Sequence, residues 1–225
     1  MLQRQFAAAA LAATLAAAGA ARADTPSTPS TPADFTPKHA GLFLVNVRVT
    51  DVIPQDGQAI YEANGTDTTL RTRITDSVIP SLGFSYFLTD NIAVDLIAGT
   101  SNHSISAVNA TTDVLVHRTW VLPPTLSLQY HFLPKSRFSP YLGVGANYMW
   151  FYGTQDLNGF RVKLPGAFGG SLEAGADYAV SRHVSLNLDL KKIFWTGTAS
   201  INGGAYYSKV NLDPWVPSLG AGWRF

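Results

Sequence analysis

Period-two alternation of large apolar with small or polar residues is the feature that most limits how this chain can fold. In the segment WVLPPTLSLQYHF, Trp120, Leu122, Pro124, Leu126, Leu128, Tyr130 and Phe132 share one parity. Val121, Pro123, Thr125, Ser127, Gln129 and His131 share the other. Successive side chains of a strand point to opposite faces, so one face here is apolar and the other mostly polar. The same sorting recurs, and it predicts strands over residues 41–50, 76–88, 92–99, 120–132, 140–152, 166–180, 184–195 and 209–225. The connections alternate in length. Segments 51–75, 100–119, 153–165 and 196–208 are long and polar, whereas Thr89-Asp90-Asn91, LPKSRFSP and Ser181-Arg182-His183 are tight. In an up-and-down meander that alternation gathers the short turns at one end and the long loops at the other, as in outer-membrane barrels.

The direction of the faces follows from volume. An eight-stranded barrel has an interior just wide enough to be filled by side chains. Sets such as Leu142, Val144, Tyr148 and Trp150, or Leu186, Leu188 and Leu190, contributed by every strand, would overfill it. The opposite sets, rich in glycine and serine and carrying the charges, fit. The large apolar residues therefore face outward into lipid, with aromatics near the strand ends at the interfaces. A charged fraction of 14% is low for a soluble domain and agrees with this arrangement. The expected fold is all-β: an eight-stranded antiparallel up-and-down transmembrane β-barrel of the bacterial outer membrane, over residues 41–225.

The N-terminus reads as targeting. Arg4 precedes the apolar run AAAALAATLAAAGA, and Ala21-Arg22-Ala23 is a cleavage site, so residues 1–23 are expected to be a cleaved signal peptide. With no cysteine near that site, no lipoprotein anchor is expected. Residues 24–40, opening DTPSTPSTPAD, are expected to form a disordered Pro/Thr/Ser-rich tether.

Several chemistries are disfavoured. The chain has no cysteine, and a net charge of +1 without a basic run gives no case for nucleic acid. His39, His103, His117, His131 and His183 lie in separate segments without metal-ligand spacing, and no G-x-S-x-G occurs. Neither enzymatic activity nor a metal or other cofactor is expected. The grouping of His103, Ser104 and Asp113 reads as polar loop composition. Asn64-Gly65-Thr66 and Asn109-Ala110-Thr111 read as chance sequon matches.

The inward parity is uneven along the axis. Toward the short turns lie Arg48, Asp95, Glu173, Asp177, Asp189, Lys191 and Arg224, with Gln129 and His131. Buried charges persist when paired, so four acids against three bases predict an ion-pair network forming a barrel floor. A cation- or proton-conducting path is the other reading. Toward the long loops, Val121, Pro123, Met149, Phe151, Ile193 and Trp195 point inward. They are expected either to line an apolar mouth that accepts a ligand or simply to fill the barrel. A greasy molecule entering there would meet the charged floor, and sideways exit into the bilayer avoids that cost. Pro123 and Pro124 lack backbone N–H groups, which marks a weak seam, with the preceding strand the expected partner. Pro80 raises the same suspicion less strongly, and a bulge near the external rim is the competing reading of the proline pair.

The stretches GLFLVNVRVTDVIP, YFLTDNIAVDLIAG, LPPTLSLQYHF, FSPYLGVGANYMWFY and DPWVPSLGAGWRF resemble those of the outer membrane protein W (OmpW) family. The likeness departs at Asn102-His103, which lacks the family's Pro-Phe pair. It implies passage of small hydrophobic molecules across the outer membrane, including uptake in alkane-using relatives. A terminal aromatic, here Phe225, implies recognition by the barrel assembly machinery. The expected partners are thus outer-membrane lipid, a small hydrophobic ligand and that machinery. The alternative function is a structural or interaction barrel whose external loops serve as a receptor or adhesion surface.

Overall fold

The computed structural model describes residues 34–225, and the expected signal peptide and most of the expected tether lie outside them. In chain order the strands are β1 (Phe43–Val52), β2 (Ala59–Glu62), β3 (Asp67–Ile74), β4 (Ser77–Phe87) and β5 (Ile92–Ala98). Then come β6 (Ser101–Val108), β7 (Asp113–Leu122), β8 (Thr125–His131), β9 (Phe138–Asp156) and β10 (Val162–Lys163). The chain ends with β11 (Ala167–Ala179), β12 (Val184–Phe194), β13 (Thr196–Ile201), β14 (Tyr206–Asn211) and β15 (Trp215–Arg224).

Eight of these close a ring in the order β1, β4, β5, β8, β9, β11, β12, β15, each antiparallel to its neighbours. Closure leaves no lipid-facing strand edge, the condition for crossing a bilayer with strands. Burial follows the sequence parity. Along β8 the odd residues Thr125, Ser127, Gln129 and His131 are buried while Leu126, Leu128 and Tyr130 are about half exposed. Exposed leucines, valines and aromatics ring the whole outer surface, including Val47, Leu82, Leu142, Leu172, Leu188 and Leu219. The three tight connections sit at one end, closed by bonds such as Leu88 N–H to the Ile92 carbonyl (2.8 Å) and Val180 N–H to the Val184 carbonyl (2.9 Å).

Small inward residues make room for large ones. A Cβ on Gly220 would lie 2.1 Å from the Val47 carbonyl and 2.7 Å from Arg48 Cα, and one on Gly83 would meet the Arg48 guanidinium at 2.7 Å. On β9, a Cβ at Gly143 would strike the Glu173 carboxylate at 2.4 Å. Glycine on the neighbouring strand is therefore what lets the long side chains of Arg48 and Glu173 lie across the lumen.

The structure corrects three expectations. The four long polar segments are not simple loops: much of each is strand, in a second sheet ordered β10, β13, β14, β2, β3, β6, β7, β9. β9 runs through both sheets over 19 residues. This crown has its own apolar core of Ile60, Ala107, Val116, Val162 and Ile201. Polar residues alternate with these in short runs, so the segments read as loops when judged on composition. Second, the strand expected over 120–132 is two strands. Pro123-Pro124 ends β7 and precedes β8, because neither proline can donate to a ladder. Third, the expected tether is not unpacked to residue 40. Lys38 is buried, its backbone N–H bonds the Pro134 carbonyl at 2.8 Å, and Leu42 packs with Phe87 and Ala93 beneath the barrel.

Candidate functional site: an apolar shaft above a charged floor

The lumen divides at mid-height. Above, Val121, Met149, Ile193, Trp195, Ala199, Val210 and Val216 form one buried apolar cluster, with Phe151 packed against it. A cavity of ≈ 90 Å³ runs past this cluster, reaching from the crown residues Ile60, Val162 and Ile201 down to Lys191. Of the six residues expected to line a mouth, Val121, Pro123, Met149, Phe151 and Ile193 line it. Trp195 does not. It is 1% exposed, donates from Nε1 to the Ala167 carbonyl (3.2 Å) and meets Phe151 edge-to-face at 5.6 Å, so it backs the lining.

The cavity is slender: an engineered cavity that binds benzene measures about 150 Å³. Met149, with an unbranched and flexible side chain, is the lining residue best able to yield. The crown contribution, from Ile60, Ile74, Ile105, Val116, Val162 and Ile201, was hidden in sequence because those residues fall in segments that read as loops.

Polar groups at the shaft wall are satisfied locally. Thr50 Oγ1 shares hydrogen bonds with Ser81 Oγ (2.7 Å) and Ser218 Oγ (2.9 Å), and Thr125 Oγ1 donates to the Pro123 carbonyl (3.1 Å). In the crown, His103 bonds the Thr75 carbonyl through Nδ1 (2.6 Å) and Ser101 Oγ through Nε2 (2.8 Å). Burial pulls its imidazole below the ordinary value, against an upward pull from the Thr75 hydrogen bond. The neutral ring, with Nδ1–H donating and Nε2 accepting, therefore adds no charge to the upper shaft.

Below lies the floor. Arg48 reaches Asp95 at 3.9 Å, Lys191 pairs with Glu173, and Asp189 lies 3.7 Å from the same ammonium. Hydrogen bonds knit these together: Ser85 Oγ to Asp95 (2.6 Å), Ser127 Oγ to Glu173 (3.2 Å), Tyr141 Oη to Asp189 (2.9 Å) and Asn187 Nδ2 to Asp177 (2.8 Å).

Two corrections apply to the expected network. Arg224 donates to the Thr36 carbonyl and forms no ion pair with a floor acid among the described residues. The base on Asp177 is Lys38, which sequence reasoning missed because it was assigned to the tether. Its ammonium uses all three protons, on Asp177 Oδ2 (2.6 Å), His131 Nδ1 (2.6 Å) and Ser139 Oγ (3.0 Å). The deficit of one base against four acids was the available clue. With Lys38 the buried groups balance, Asp95, Glu173, Asp177 and Asp189 against Lys38, Arg48, Lys191 and Arg224. Arg137, paired with Asp34 and lying 5.2 Å over the Phe35 ring, holds the same N-terminal segment across the floor's underside.

The wall is interrupted beside Pro123-Pro124. β5 and β8 pair up to Ile97–Thr125, and β6 and β7 resume in the same register at Ser101–Val121. Between these points no ladder pair among the described residues joins Ala98, Gly99 and Thr100 to Leu122, Pro123 and Pro124. On the other side β9 keeps contact, with Leu122–Trp150 and Thr125–Asn147 paired and the Tyr148 N–H bonded to the Pro124 carbonyl (3.2 Å). The unpaired stretch therefore faces the β5–β6 segment and not β9. Pro80, by contrast, keeps its pairing with Val49.

Comparison with known proteins agrees with this architecture. A model of the OmpW family matches residues 39–225. The chain is 40% identical over 186 residues to the uncharacterized outer-membrane protein y4mB of Sinorhizobium fredii, spanning 80% of this chain and 79% of that one. It is 33% identical over 201 residues to outer membrane protein W of Escherichia coli, spanning 83% and 89%. The crystal structure of OprG from Pseudomonas aeruginosa superposes with a TM-score of 0.79 at 28% identity, covering 85% of this chain and 99% of that one. A closed eight-stranded barrel with a lipid-facing apolar surface, matched by this family over its whole length, identifies the chain as a member of the OmpW family of outer-membrane proteins.

Proposed function

We propose that the barrel conducts small hydrophobic molecules from the outside into the outer membrane, through the crown and shaft and out sideways at the Pro123-Pro124 gap. The observation that carries this reading is an apolar cavity that links the crown core to the shaft and ends on a charged floor. An apolar solute gains by leaving water for such a shaft. It gains nothing by crossing a floor of linked buried charges, whose paired groups would have to be separated to let it pass. Pro123 and Gly99, on the two sides of the unpaired stretch, both line the cavity, so the shaft and the gap adjoin. A relative from Pseudomonas aeruginosa, 25% identical over 154 residues, is named as a protein of the dibenzothiophene metabolism operon, and that compound is an apolar aromatic.

Two variants in proteoliposomes test the reading with naphthalene uptake. Ile201→Asp places a charge in the crown core and is expected to cut uptake about tenfold or more while the barrel still folds. Pro123→Ala/Pro124→Ala restores two ladder donors and is expected to slow uptake severalfold. Unchanged uptake in both variants would contradict the proposed route.

A further inference from the structure

The shaft is apolar along its length but ends on an ammonium. Lys191 lines the cavity, is 1% exposed, and its Nζ contacts Glu173 with Asp189 standing off at 3.7 Å. An ammonium has three donors, and Lys191 Nζ has no well-aligned hydrogen-bond acceptor among the described residues. Other hydroxyls at this depth are engaged with each other or with the backbone, as Thr50, Ser81 and Thr125 are. The cavity thus offers one buried charged donor at its closed end, below walls that are predominantly hydrocarbon.

From this geometry we infer that the shaft binds amphiphiles with one uncharged oxygen, such as an alcohol, ketone or ester, seated head-down on Lys191 with the hydrocarbon toward the crown. The inference rests on the conduit reading and specifies its substrate class. Charge decides among the possible heads. The buried floor is balanced at four acids and four bases, so a carboxylate would add a fifth negative charge beside Glu173, buried away from water. A cationic head would face Lys191 itself. A bare hydrocarbon leaves the ammonium's free donors unused, and buried donors without partners are costly. A neutral oxygen accepts a hydrogen bond from a charged donor and leaves the balance intact.

Met149 lines the shaft and, with Met1, is one of two methionines in the chain, so its labelled methyl group reports on occupancy. The full barrel in lipid nanodiscs, with carbon-13 in its methionine methyls, would be titrated with 1-octanol, octane and octanoate at a pH where the acid is ionised. The expected order of affinity is octanol first, by about tenfold over each of the others, a difference of about 1.4 kcal/mol. Glu173→Gln removes the paired carboxylate and leaves Lys191 in need of an anion, so octanoate is expected to become the tightest of the three. The variant Lys191→Met/Glu173→Gln removes both charges and is expected to bind octanol and octane alike, which keeps the test decisive if Glu173→Gln alone does not fold. Equal binding of octanol and octanoate by the native barrel, or no change of order in the variants, would overturn the inference. If none of the three probes moves the Met149 signal, the conduit reading itself fails.

Discussion

The floor and the shaft are built by the same strands, yet they are held together by different physics. β9, β11 and β12 each contribute to both: Met149, Ala167 and Ile193 above, Tyr141, Asp177 and Asp189 below. In the shaft, apolar side chains pack without directional bonds, and neighbours can give way to a guest. In the floor, the long side chains are held by ion pairs such as Lys38–Asp177, Arg48–Asp95 and Lys191–Glu173, and moving one leaves its partner buried without a counter-charge. A guest can therefore displace shaft residues at modest cost but not floor residues. On the proposed route, one half of the lumen serves as a container and the other as a stopper.

Breaking the floor is expected to have the largest effect. Lys38→Met leaves Asp177, 2% exposed, without its partner, and removal of one member of a buried pair costs about 3–5 kcal/mol. Urea unfolding of the barrel in lipid vesicles measures that loss, and the double variant Lys38→Met/Asp177→Asn is expected to recover most of it. A loss within 1 kcal/mol, on the order expected of an exposed pair, would mean that Lys38 does not belong to the floor. Next is the outer surface. Leu128→Arg puts a charge on the lipid face in mid-strand and is expected to cost about 2–4 kcal/mol in the same assay. The comparison sharpens in the shaft, where Ile193→Ala is expected to cost about 2 kcal/mol and to speed entry of bulkier aromatics by widening the cavity. The smallest effect belongs to the crown surface. Arg73 and Asp113, 39% and 59% exposed, pair at 2.5 Å, and Arg73→Ala is expected to change stability by less than about 1 kcal/mol.

Much of this contrast was legible before the structure. Parity alone oriented β8 and β12, because a strand in lipid must sort large apolar residues outward and eight strands leave little room inside. Parity also placed Val121, Met149 and Ile193 together above Asp95 and Asp189. The crown was not legible, since residues such as Ile60 and Ile201 gain their burial only from pairing between segments far apart in sequence. Lys38 was missed for a related reason. Its neighbours are the Pro- and Thr-rich residues of a tether, and nothing local marks it as the partner of Asp177, 139 positions away. The proline pair was read in outline: its lack of donors signalled a weakness, while only the register of β5, β6, β7 and β8 shows that the unpaired stretch faces one neighbour and not the other.

Whether molecules leave through that stretch separates lateral release from passage through the floor. Thr100 and Leu122 fall opposite each other in the register that continues across it, and the chain has no cysteine of its own. Thr100→Cys/Leu122→Cys therefore allows a single disulfide to be closed and reopened across the gap. Naphthalene uptake into proteoliposomes, measured on one preparation before and after reduction, is the direct test. With lateral release, uptake is expected to be suppressed about tenfold while the bond is closed and restored on reduction. Full uptake with the bond closed would contradict lateral release and require a passage through the floor.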